Sequence, residues 1–182
     1  MSRYGEAIAG LSRLAAIDIE VLSRQFADGV IARERLAVVL PRLAGVYGSA
    51  AATLAAEHYD DLRIASRATG RYRAVPAELP DRGRTDSLAG WAVSPMFKDH
   101  YDDPVAATVS RASTGMQTII AGAGRDTITA SSIADPQARG WTREAEPKAC
   151  DFCVSLTGIV FTERSADFEA HGGCHCEAVP IW

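Results

Sequence analysis

The chain has 182 residues, 47% hydrophobic but only 7% aromatic, and a formal net charge of −4. That size fits one domain, or a helical domain with a small appended module, and the lack of any apolar run of about eighteen residues argues against a membrane span. Alanine supplies much of the apolar content, which favours long, shallowly packed helices over a thick core.

Tyr4, Ile8, Leu11, Ala15, Ile19, Leu22 and Phe26 recur at steps of three and four and predict a first amphipathic helix that stops near Gly29. A second is expected from about Ile31 to Ser66, kinked or split at Pro41, because proline removes a backbone donor and clashes one turn back. Past Pro41 its surface is small (Gly45, Gly48, Ala50 to Ala52, Ala55, Ala56) and suits close approach by a neighbouring helix or a partner subunit. Residues 1–70 therefore read as an antiparallel helical hairpin. Arg63, Arg67 and Arg71 fall at steps of four along the end of the second helix, followed by Arg73, Arg82 and Arg84. That stripe is either a solvated face or a contact with an acidic protein surface or with DNA.

Pro76, Pro80, Gly83, Gly90 and Pro95 break the pattern, so residues 71–103 read as a linker or long irregular loop. Residues 104–140 read as short helices. One runs from about Pro104 to Ala121, with Val105, Val109, Ala112, Met116, Ile119 and Ile120 on its apolar face, and is ended by Gly122 and Gly124. Another spans about Thr127 to Ala138. At their junction Arg125 and Asp126 are expected to pair and cap, with Asp126 at the positive end of the helix dipole.

Residues 141–182 form a Cys/His module. All four cysteines and two of the four histidines lie between Cys150 and Cys176, as Cys150-x2-Cys153 and then His171-x2-Cys174-His175-Cys176. A Cys-x2-Cys pair puts two thiolates on one side of a tight turn, and a second cluster about twenty residues on can close a tetrahedron around Zn²⁺. Cys150, Cys153, His171, Cys174 and Cys176 are the candidate ligands, and the spacing leaves open which four bind. Cys174 and Cys176 share a face if residues 177–182 are extended, and His175 then faces away. Met1-Ser-Arg-Tyr-Gly-Glu lacks a charged segment followed by an apolar one, so disulfides, which need an oxidising compartment, are the weaker reading. A catalytic zinc keeps an open position and a nearby acid or base. Here soft ligands are in surplus and no H-E-x-x-H or H-x-E arrangement surrounds them, so a closed structural site is expected and no enzyme. From Trp141 onward Arg143, Lys148 and Arg164 stand against seven acidic residues. Phosphate binding needs a basic face, so direct DNA binding by this module is not expected.

Trp141-Thr-Arg, Ala149-Cys-Asp-Phe-Cys-Val-Ser-Leu-Thr-Gly-Ile-Val-Phe161 and His171-Gly-Gly-Cys-His-Cys-Glu-Ala-Val-Pro180 resemble the C-terminal signature of MuF-like phage head morphogenesis (minor head) proteins. Gly124-Arg-Asp-Thr-Ile128 and the stretch from Val46-Tyr-Gly through Glu57-His-Tyr-Asp-Asp-Leu-Arg63 are similar to further segments of that family. Gly172-Gly173 stand where relatives often carry His-Pro or His-Asp, which loosens the backbone beside His171. The resemblance implies a mainly α fold, a long-helix hairpin or bundle followed by a small zinc-stapled α+β module. It also implies a structural virion protein in the phage head interior or connector, made in the host cytoplasm and docking on the portal or major capsid protein, with self-association through helices as a further expectation. Arg63, Arg67 and Arg71 are then the candidate docking residues. MuF-type domains also occur fused to effectors, so the alternative is a zinc- or cysteine-dependent enzyme or toxin-like module.

Overall fold

The computed structural model of the protein describes residues 2–79, 82–146, 148–163, 168–171 and 173–182, with the side chains of residues 33, 82 and 84 also outside the description. Pro80, Gly172 and the charges of Arg82, Arg84, Arg164 and Asp167 therefore lie outside the described residues. The fold is mainly helical, with long N-terminal helices and a small two-stranded C-terminal sheet.

Helix α1 (Arg3–Ala27) starts at Ser2, whose Oγ accepts the Gly5 backbone N–H at 2.9 Å. This satisfies one of the orphan donors of the first turn. Its apolar stripe buries Ala15 and Ile19, and Gly29 takes a left-handed φ of 70° just past its end. Helix α2 (Arg33–Ala65) runs through Pro41 as one element, where two helices were an expected outcome. Leu36, Leu40 and Ala44 on either side of Pro41 are all buried in one cluster. Burial holds both halves to one core, against the single backbone hydrogen bond that proline removes. By length and composition alone α2 is long and apolar enough to cross a membrane, with an 18-residue stretch of mean hydropathy 1.3. Here it is a core helix, with Ala51, Ala52, Ala55 and Tyr59 buried.

The stretch 71–103 is not a linker. Residues 71–79 run extended against the bundle, with Ala74 N–H donating to Asp60 Oδ1 and Ala77 N–H to Thr127 Oγ1, both at 2.9 Å. Leu79 covers Gly48 and Ala51, Ala52, Ala55 and Ala56 are buried, so much of the small-residue face of α2 is filled from within the chain, while Gly45 faces open space. Helix α3 (Arg82–Val93) then buries Ala89, Ala92 and Val93, and a 3-10 turn (Ser94–Phe97) buries Pro95. The Pro and Gly residues punctuate this segment, but Leu79, Leu88, Ala89, Ala92 and Val93 still reach the core.

Helix α4 (Pro104–Ala134) corrects a second expectation. It is capped by Asp103, whose Oδ1 accepts the Ala106 N–H at 2.8 Å, and it passes through Gly115, Gly122 and Gly124 without ending. Glycine in a helix costs about 0.5–1 kcal/mol relative to alanine. Two of these glycines make room for neighbours: a Cβ at Gly115 would sit 2.7 Å from Leu88 Cδ1, and one at Gly124 would collide with the Tyr4 hydroxyl. Arg125 and Asp126 are thus mid-helix residues rather than a cap. A first core cluster joins α1, α2, α3 and α4 around Leu36, Met116 and Ile120. A second joins Tyr59, Ile128, Trp141 and Ala178. Strands β1 (Gly140–Glu144) and β2 (Glu177–Ile181) pair antiparallel, with Trp141 opposite Pro180 and Arg143 opposite Ala178.

Candidate metal centre

A single turn of helix, α5 (Asp151–Ser155), places Cys153 inside the fold with no exposed surface, while Cys150 at its N-cap stays exposed. Cys174 and Cys176 lead directly into β2 and are both buried. The sulfurs of Cys153, Cys174 and Cys176 lie within 4.8 Å of one another, as do the ligand atoms of Cys150, Cys153 and His171. Cys153 belongs to both sets. Its Sγ is 3.9 Å from Cys174 Sγ, and Cys150 Sγ is 3.4 Å from His171 Nε2. Zinc bonds of about 2.3 Å to sulfur and about 2.0–2.1 Å to nitrogen give tetrahedral edges of about 3.8 Å and about 3.6 Å. Soft donors at these separations could hold a metal ion. The cysteines are free thiols rather than disulfides.

The sulfurs differ in acidity. Burial pushes the Cys153 thiol up to about 12, helped by hydrogen bonds shared with its three cysteine neighbours. The Cys153 backbone N–H holds the exposed Cys150 thiol below its ordinary value. Burial alone would raise Cys174, but a hydrogen bond from the Cys176 backbone N–H and the charge of Arg125 outweigh it, and the thiol is lowered.

Two arginines wrap the cluster. Arg143, on β1 and 2% exposed, donates from Nη1 to Cys153 Sγ at 3.1 Å and from Nη2 to the Glu169 carbonyl at 2.6 Å. Its guanidinium lies 3.9 Å over the Phe168 ring. Arg125 reaches across from α4, donating from Nε to the Cys176 carbonyl at 3.0 Å and from Nη2 to the Cys174 carbonyl at 2.6 Å. It lies 4.8 Å from the same Phe168 ring. Among the described residues neither arginine forms an ion pair with a carboxylate. Carbonyl acceptors satisfy part of their hydrogen-bonding need, and the Phe168 ring adds a cation–π contact to each. Sequence reasoning assigned neither residue to this site. The available signal for Arg125 was its place three residues before Ile128, on one helical face; for Arg143 it was strand alternation from the buried Trp141.

His175 is exposed and turns from the sulfurs toward Gln117, whose Nε2 is 3.0 Å from His175 Nε2. The predicted arginine stripe does not form. Spacing of four makes a stripe only on a helix, and α2 ends at Ala65. Arg63 is buried, with Nε donating to Asp135 Oδ2 at 2.8 Å and Nη2 to the Thr69 carbonyl at 2.6 Å. It therefore satisfies carbonyls beyond the end of its own helix. Arg67 is exposed in a left-handed turn at φ 60°, and Arg71 is exposed on the following extended segment. The three guanidinium groups thus leave from different local structures.

Compared with known proteins, the chain matches a family model described as VG15 protein over residues 1–182. No curated protein and no solved structure matches it.

Proposed function

The chain belongs to the VG15 family, a viral protein family, and from that premise we propose that it is a minor head protein of a phage virion. It docks by its helices on the portal or inner capsid, and a structural Zn²⁺ fastens its C-terminal segment. The observation that carries this reading is the family match along the full length of the chain. Further support comes from how the segments resembling minor head proteins converge. Arg125, from Gly124–Ile128, holds the carbonyls of Cys174 and Cys176. Tyr59, from the Glu57–Arg63 stretch, lies 5.5 Å from the Trp182 ring. The zinc reading rests on soft donors at tetrahedral separations.

With Arg63 committed to Asp135, the docking surface is better placed on α1. Leu14, Ile17 and Val21 lie on one exposed stripe, each about half accessible. A contiguous exposed apolar patch of this kind marks an interaction site. We assign no catalytic role. The effector alternative has one observation in its favour, the contact between the exposed Cys150 and His171 at 3.4 Å, which would suit a nucleophile and its base. Mass spectrometry of purified particles tests the main reading: the protein should be present in low copy, and its deletion should give defective heads. Particles that lack it yet assemble and infect normally would refute the role. Trapping of Cys150 by a substrate-like electrophile in zinc-loaded protein would favour the effector instead.

A further inference from the structure

We infer that the Cys/His cluster is a two-ion centre for soft monovalent cations, Cu⁺ by its chemistry, in which Cys153 is the sulfur that both ions share. This rests on the metal centre proposed above and adds to it how many ions the donors take and which donor joins them.

The donors fall into two sets of three. Cys150, Cys153 and His171 form an outer set, with Cys150 and His171 at the surface, and Cys153, Cys174 and Cys176 form a buried inner set. Within each set the ligand atoms lie within 4.8 Å of one another, and Cys153 is the member common to both. Each set contains a pair close enough to share an ion: Cys150 Sγ and His171 Nε2 at 3.4 Å, and Cys153 Sγ and Cys174 Sγ at 3.9 Å. A thiolate bound to one ion keeps further lone pairs, so Cys153 can bridge to a second.

Coordination number separates the ions. Zn²⁺ in a closed site takes four donors, so a single zinc has to draw on both sets at once. Three donors complete a trigonal shell around Cu⁺, for which thiolate sulfur is selective and imidazole a good ligand. Each set as it stands is then a complete site.

Charge points the same way. Metal-bound cysteine is thiolate, so the four cysteines bring four negative charges. Two Cu⁺ together with the buried guanidinium groups of Arg125 and Arg143 cancel them. Two Zn²⁺ would leave a net charge of two plus inside the fold, and uncompensated buried charge is costly. One Zn²⁺ cancels them as two Cu⁺ do, so the cluster takes a single zinc or a pair of cuprous ions. Both arginines also fix the donors in place. Arg143 donates from Nη1 to the shared sulfur at 3.1 Å, and Arg125 ties the carbonyls of Cys174 and Cys176 to α4.

The test loads the full chain with Cu⁺ or with Zn²⁺ in the absence of oxygen and counts the metal that survives competition with a chelator. Wild type should hold two Cu⁺ but one Zn²⁺. Cys150→Ser combined with His171→Ala removes the outer set by changing two exposed side chains, and should leave one Cu⁺. Cys174→Ser combined with Cys176→Ser should also leave one, and Cys153→Ser should weaken the hold on both. X-ray absorption at the copper edge should show nitrogen beside sulfur in wild type and sulfur alone in the outer-set variant, with helical circular dichroism confirming that this variant is folded. A single Cu⁺ on the wild-type chain, two on the outer-set variant, or two held undiminished by Cys153→Ser would each overturn the two-ion centre, and binding of one Zn²⁺ would leave the zinc reading standing. Uptake of two Cu⁺ without any Zn²⁺ would overturn the zinc reading alone, and a chain that holds neither metal overturns both.

Discussion

Asp135 at the end of α4 and Arg63 at the end of α2 meet at 2.8 Å in a buried ion pair that fastens the two longest helices at their C-terminal ends. Tyr59 Oη and Trp182 Nε1 also donate to Asp135 Oδ2, at 3.3 and 3.5 Å, and the Gln137 N–H donates to Oδ1 at 3.0 Å. Burial alone would raise the Asp135 carboxyl, but the Gln137 N–H and Arg63 outweigh it and hold it below its ordinary value. Asp135→Ala leaves a buried guanidinium unpaired and should cost about 3–5 kcal/mol in urea unfolding. The pair's contribution is present above the unfolded carboxyl's pKa and is lost as pH falls through the folded value. An Asp135→Ala protein as stable as wild type at neutral pH would show that water reaches Arg63.

The zinc proposal predicts that removing the metal loosens the C-terminal segment. Structural zinc in small modules contributes roughly 10–16 kcal/mol of apparent binding energy. Trp141 is 1% exposed between Phe161 and Phe168, so its fluorescence should report the loss. Chelation, or Cys153→Ser, should shift the emission to the red while most of the helical circular dichroism remains. Unchanged emission in both cases would mean that side-chain packing alone holds the segment.

His58 stacks face to face on Tyr4 at 4.6 Å, and burial holds its imidazole below the ordinary 6.5, against the pull of Asp61. As pH falls the unfolded chain therefore takes up this proton first. Stability declines below the unfolded value and levels off once the folded ring is protonated too. His58→Phe keeps the stacked ring and should flatten that decline. An identical pH dependence in the variant would assign it to another group.

Gly124→Ala tests the close approach of Tyr4 to α4. The added methyl collides with the phenol oxygen, and overpacking of this kind costs about 1–3 kcal/mol, against a gain of up to about 1 kcal/mol from helix propensity. The net should be a loss of stability, recovered in part by Tyr4→Phe. A more stable Gly124→Ala protein would mean that Tyr4 swings aside freely.

The docking proposal predicts a separation of stability from assembly. Leu14→Glu, Ile17→Glu and Val21→Glu alter an exposed face and should each change stability by no more than about 0.5 kcal/mol. Together they should abolish incorporation into heads. Normal incorporation of the triple variant would place the docking surface elsewhere.

Local pattern made part of this fold legible. The stripe from Tyr4 to Phe26 is α1, and the clustering of cysteines after residue 149 marked the segment where the sulfurs converge. What stayed hidden depends on contacts between distant residues. Gly124 reads as a helix stop until Tyr4 is seen beside it. Arg63 reads as a surface cation until Asp135, seventy-two positions on, is brought against it. Pro76 and Gly90 look like linker residues because a short-range reading weighs backbone punctuation. It cannot see Leu79 reaching Gly48, or Leu88 reaching Gly115. At the candidate metal site the donors were visible as types and spacings. Arg125 and Arg143 were not, because an arginine in a sequence gives no sign of whether its partner is water or sulfur.

The second core cluster, in which Tyr59 meets Ala178 and Trp182, bears on the order in which this protein can mature during synthesis. Tyr59 is translated early and its closing partners late, and Asp135 waits for the same Trp182 indole. Before those later residues are made, α1 to α4 can collapse around Leu36 and Ile120, but the end of the bundle nearest Arg63 stays open to water. A nascent chain stalled before Cys174 would expose aromatic surface and two uncompensated arginines. Such a species is aggregation-prone, so closure of the second core cluster is what takes the bundle past that stage.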